Sequence, residues 1–135
     1  MFSAEFDRQS SAADWDETVQ LLAEDDGLPM WTTVPGDLIL TLTVIPEGIC
    51  VSSDYGSVST STPGAVITAV STDLSGRVAA DINGMMLIFI DDSDMVALAP
   101  DRYGIDKRYL VFIKAQFGVY TKQGLVGILP VYRGA

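Results

Sequence analysis

Asp91, Asp92 and Asp94 form the densest acidic cluster in the chain, and Asp25-Asp26 forms a second. Loop carboxylates are the oxygen ligands that calcium takes, and a pair of carboxylates is what glycoside hydrolysis needs. Neither cluster carries the further spacing of a calcium loop, and nothing in the sequence builds a cleft around either pair. These aspartates therefore read as turn residues whose carboxylates accept backbone N–H groups. The chain contains no histidine, which removes Ser-His-Asp and Cys-His catalysis and the usual zinc and haem ligand sets. Its single cysteine, Cys50, lies between Ile49 and Val51 with no basic residue near it in sequence, the setting of a buried, unreactive thiol. Gly124 and Gly127 lack the spacing and the following lysine of a phosphate loop. No residue is assigned as catalytic, cofactor-binding or metal-ligating, and the chain is not expected to be an enzyme.

The elements that would position any site are strands. Asp37–Ile45 alternates cleanly, with Leu38, Leu40, Leu42 and Val44 on one face and Ile39, Thr41, Thr43 and Ile45 on the other. Met85–Ile90 is almost wholly apolar and is expected to be a central strand buried on both faces, with Leu87 in the core. Asn83-Gly84 before it is a strong hairpin turn. Asp14–Glu24 fits a helix through Trp15, Val19 and Leu22 as well as a strand with Trp15, Glu17, Val19 and Leu21 on one face. The β character of everything downstream decides for the strand. Gly27 is placed to turn the chain with positive φ. Further strands are expected over Ala65–Ser71, Arg77–Asp81, Tyr103–Ile113 and Val119–Tyr132. A single helical turn capped by Asp91–Ser93 precedes Leu98. Pro130 cannot donate to a ladder, which puts that part of the last strand at an edge or a bulge. The serine- and threonine-rich stretch 52–62 reads as a loop or weak edge. The expected fold is all-β: a single antiparallel β-sandwich of seven to eight strands over residues 14–135, with an extended N-terminal arm over 1–13.

With 135 residues, 48% of them hydrophobic and a formal charge of −10, the chain can bury one core. The negative charge argues against a phosphate backbone as partner. No apolar run approaches the length of a membrane span, and residues 1–13 do not read as a signal peptide. The acids are weighted to residues 1–54 and the bases to the last third. Either they interleave on adjacent strands of one molecule, or the acidic face of one subunit meets the basic face of the next. On the second reading Arg108, Lys122 and Arg133 are contact residues, together with the aromatics Phe2, Phe6, Trp15 and Trp31. Phe2 and Phe6 would dock the arm on a neighbour.

The order of signals is distinctive: the Trp15-Asp16-Glu17 strand, the Asp26-Gly27-Leu28-Pro29 turn, the Asp37–Ile45 strand, the Asn83-Gly84 turn, a Leu98-Ala99-Pro100 corner before Tyr103, and a closing Gly127-Ile128-Leu129-Pro130-Val131. It resembles the small β-sandwich domain of tailed-bacteriophage structural proteins, including the N-terminal domain of upper baseplate proteins. Asp101-Arg102 stand where that family has a glycine at the corner. The resemblance spans residues 14–133 and implies an immunoglobulin-like fold and a non-enzymatic virion component of the tail tip, baseplate or neck. It implies assembly in the bacterial cytoplasm into a homo-oligomer that contacts other virion proteins, with neither nucleic acid nor membrane as partner. It also implies that Leu98 anchors the corner, and that Tyr103 packs at the end of the sandwich with its hydroxyl on backbone. A capsid decoration protein, or a carbohydrate- or calcium-binding accessory module built on the acidic loops with Trp15 and Trp31, is the alternative.

Overall fold

A computed structural model describes residues 4–23, 25–47 and 66–134; Phe2, Cys50 and the 52–62 stretch lie outside them. The described chain is mostly β, in two sheets. Among the described residues nine strands run in order: β1 (Ala4–Glu5), β2 (Gln9–Ser10), β3 (Trp15–Gln20), β4 (Ile39–Pro46), β5 (Ile67–Val70), β6 (Val78–Ala80), β7 (Met85–Ile90), β8 (Lys107–Phe117) and β9 (Tyr120–Tyr132). A helical turn, α1 (Asp92–Met95), runs into a 3₁₀ turn at Val96–Leu98. The larger sheet is ordered β1-β9-β8-β4-β5, with β2 also on β9; the smaller is β3-β7-β6.

Inward side chains of both sheets form one apolar cluster. Trp15, Val78, Met86, Ile88 and Ile90 come from the small sheet, and Leu40, Leu42, Val44, Val111, Ile113, Leu129 and Val131 from the large one. Burial alternates along β7, as period-2 geometry requires: Met86, Ile88 and Ile90 are fully buried, while Leu87 and Phe89 are 40% and 44% exposed. The expectation of two-sided burial for this strand is therefore corrected. β7 is central in its sheet, but its outer face is open. Two-sided burial falls instead on β4 and β8, the middle of the large sheet. There Ile45, Leu110 and Phe112 form a second buried cluster on the opposite face, and Thr41 and Thr43 are also buried.

Local rules set the connections. Asn83 and Gly84 both take positive φ, at 58° and 71°, as the central residues of a type I′ turn that the Met85 N–H closes on the Ile82 carbonyl. Gly84 is buried, and a Cβ there would stand 2.6 Å from the Leu21 carbonyl oxygen, so only glycine fits. Asp91 caps α1 by accepting the Asp94 N–H, as the aspartate pattern anticipated. β8 begins at Lys107 rather than Tyr103 and runs on to Phe117, and Gly118 with φ 57° makes the turn into β9. The ladder between β8 and β9 slips at Val111/Phe112, where Val126 is extra, a bulge four residues ahead of Pro130. Pro130 is not at an open edge. β1 pairs with Gly127 and Ile128, and β2 with Val131 and Tyr132, so the proline, which has no N–H, occupies the gap between the two.

Candidate contact surfaces

The arm lies on its own subunit in this structure. The Phe6 N–H donates to the Ile128 carbonyl at 2.9 Å and the Ser11 N–H to that of Tyr132 at 3.0 Å. The Phe6 ring meets Trp15 edge-on, with centroids 5.5 Å apart. Between these anchors the Arg8 guanidinium grips both carboxylate oxygens of Asp106 at 2.7 Å. That pairing raises the Arg8 pKa and lowers that of Asp106.

Trp15 and Trp31, contact candidates on sequence grounds, are core residues. Trp15 is fully buried, and its indole N–H reaches Glu17 at 3.3 Å. The Trp31 indole donates to the Asp81 carbonyl at 2.7 Å, and its ring meets Phe117 in a T-shape at 6.1 Å. An indole N–H taken from water needs such a partner, so neither ring is presented at the surface.

The three basic candidates are exposed. Arg108 contacts Glu47 at 3.2 Å and Glu5 at 3.3 Å, so at this point acids and a base far apart in sequence interleave within one molecule. Lys122 borders a cleft of about 520 Å³ together with Asp25, Asp26, Phe117 and Tyr120. The Arg133 guanidinium stands 5.0 Å over the Tyr103 ring and donates to the Asp101 carbonyl at 2.9 Å. These residues edge a shallow groove of about 710 Å³ beside α1.

Tyr103 corrects another expectation. It is 65% exposed, whereas Tyr109 is 1% exposed and donates its hydroxyl to the Leu98 carbonyl at 2.9 Å. The buried tyrosine that ties the corner to backbone is thus the one on β8. The 101–106 segment is all exposed and carries Tyr103 outside with it. Burial first, then the nearby Asp101 charge, pushes the Tyr109 hydroxyl up to about 12. Leu98 is fully buried, as expected.

The acidic clusters face their own backbone. Asp26 accepts the Leu28 N–H at 3.0 Å. Asp91 accepts the Ser93 hydroxyl at 2.6 Å and the Asp94 N–H at 3.1 Å, which lowers its pKa. Asp94 pairs with Arg77 at 2.8 Å. Among the described residues no group of three acidic or thiol side chains is arranged to hold a metal ion.

Two features escaped sequence reasoning: the open outer face of β7, and a groove of about 440 Å³ between β1 and β3. The signal for the first was present, because Asp16, Thr18 and Gln20 are the register partners of Phe89, Leu87 and Met85, and a polar row on one strand marks the solvent side of its neighbour. Compared with known proteins, the chain matches no family model and no curated sequence.

Proposed function

We propose that this chain is a non-enzymatic structural component of a tailed-phage virion, in the tail tip, baseplate or neck, and that it acts through protein–protein contacts in a symmetric assembly. In this reading the two sheets form an immunoglobulin-like β-sandwich, and its partners are further copies of itself and other virion proteins. The phage assignment rests on the order of turn and strand signals from Trp15 to Val131. The contact role rests on one observation: Leu87 and Phe89 project side by side from the middle strand of the small sheet into solvent. Adjacent exposed apolar side chains at the centre of a sheet face offer area for a protein partner to cover.

The tryptophans that a carbohydrate-binding module would use for stacking are buried, which favours the structural reading over the accessory module. Native mass spectrometry of the purified protein, with proteomics of purified particles, tests the proposal. Oligomers in solution and the chain in particles are the expected result. A strictly monomeric protein absent from particles overturns it.

A further inference from the structure

A seam opens along the free edge of the small sheet, where β3, its outermost strand, faces Glu5 of β1 and the two residues after it across a groove. The groove there is lined by four successive residues of β3, Glu17 to Gln20, and by three successive residues, Glu5 to Asp7. Side chains alternate across a strand, so a groove over a sheet face meets every second residue. One that meets consecutive residues runs along strand edges.

The hydrogen-bond pattern shows which backbone groups face it. The Leu21 N–H donates to the Gly84 carbonyl, in register with the β3–β7 ladder, and the Phe89 N–H donates to Arg77 on the β6 side. In an antiparallel pair, hydrogen-bonded and non-hydrogen-bonded positions alternate. Glu17 and Val19 therefore bond β7, while the N–H and carbonyl groups of Asp16, Thr18 and Gln20 point out of the sheet at the free edge. Such an edge is a template for another strand.

The lining is chemically one-sided. Val19, Leu22 and Val126 supply an apolar surface, Glu5, Asp7 and Glu17 supply carboxylates, and among the described residues no lysine or arginine lines it. Glu5 is shared with Arg108, and Glu17 accepts the Trp15 indole N–H. We infer that this seam is a docking site for an extended cationic segment of a partner protein. The segment adds as a strand to the free edge of β3, with its groove-facing row of lysine or arginine side chains directed at Asp7 and Glu17 and their alkyl stems over Val19, and with the alternate, apolar row on the outer face beside Thr18 and Gln20. A second copy bringing its own seam would set carboxylate against carboxylate, so the occupant is a basic segment.

This inference rests on the protein-contact reading, and its test is separable from it. A decapeptide of alternating lysine and valine is titrated into the full chain and followed by calorimetry and amide NMR, with an alternating glutamate–valine decapeptide as control. The cationic peptide should bind, shift the amides of Thr18 and Gln20 and protect them from exchange, and weaken as salt is raised; the acidic one should bind at least about tenfold more weakly. Asp7→Asn with Glu17→Gln keeps an acceptor for the Trp15 indole and should cost about tenfold in affinity. Thr18→Pro removes an outward N–H without breaking a bond to β7 and should abolish binding in a chain that still melts cooperatively. Equal binding of both peptides, shifts confined to the Leu87/Phe89 face, or unchanged affinity in the carboxylate double variant overturns the inference. A chain found in particles that ignores the cationic peptide refutes the seam and leaves the structural role standing.

Discussion

Tyr109 shows how much one hydroxyl decides. Its bond to the Leu98 carbonyl joins β8 to the 3₁₀ turn across eleven residues of chain and is buried. Tyr109→Phe leaves that buried carbonyl without its donor and should cost about 1–2 kcal/mol in chemical denaturation. A loss under about 0.3 kcal/mol would show that the turn is held by Leu98 packing alone. The same hydroxyl makes stability fall at high pH. Its folded pKa, near 12, lies above the unfolded value of about 10. The contribution is complete below about pH 10 and disappears as pH rises toward 12. Ultraviolet titration should find one tyrosine ionising late and lose it in Tyr109→Phe. On β7, Ile88→Ala should cost about 2–5 kcal/mol and Leu87→Ala less than about 1 kcal/mol, because only the first empties a packed site. Equal costs would mean that Leu87 is covered in the isolated subunit.

At the scale of elements, the strands with strong alternation were legible from the sequence. β4, the Asn83-Gly84 turn and the Asp91 cap follow from local rules, whereas β3, whose local pattern fits a helix equally well, is fixed as a strand only by the β character of the chain after it. What stayed hidden depends on distant partners. An apolar run such as Met85–Ile90 reads as doubly buried, because residue type cannot say that only one sheet face receives a second layer. The true doubly covered strands, β4 and β8, carry Thr41 and Thr43 on the outer face, which disguises it. The corner was misplaced because Tyr103 and Tyr109 are equally plausible buried tyrosines until the start of β8 is known. The arm was the least legible element. Its strands are two residues long, and only their fit against β9 defines them. That fit changes the expected outcome of removing it. Deleting residues 1–13 takes Phe6 from Trp15, Ser11 from its buried site and Arg8 from Asp106, and bares the edge of β9. The isolated subunit should melt several degrees lower and its Trp15 fluorescence should become quenchable; an unchanged melting temperature would mean that the arm belongs on a neighbour.

For the molecule as a whole, a charge of −10 in a chain without histidine places the pH response at the two ends of the scale. Several carboxylates are held in the ionised form by the fold itself. Asp73 accepts from Ser75 and the Val70 N–H, Asp91 from Ser93 and the Asp94 N–H, and Asp106 from Arg8. Each has a folded pKa below its unfolded value, so each contributes stability that is present above about pH 4 and lost as pH falls through the folded value. Melting temperature should therefore change little from pH 8 to about pH 5 and drop below about pH 4. The triple variant Asp73→Asn, Asp91→Asn, Asp106→Asn should melt lower than the parent at neutral pH and show a shallower fall in acid. Added salt should weaken mainly the share carried by the Arg8–Asp106 pair, with a smaller loss from the Arg77 charge that acts on Asp73 and Asp91, because the bonds to backbone N–H groups and to Ser75 and Ser93 are short-range. An acid transition with the same slope in parent and triple variant would show that general relief of charge repulsion, rather than these turn carboxylates, governs the response. A transition near pH 6 would contradict the account altogether, since Asp73, Asp91 and Asp106 all have pKa values held below the ordinary carboxylate value.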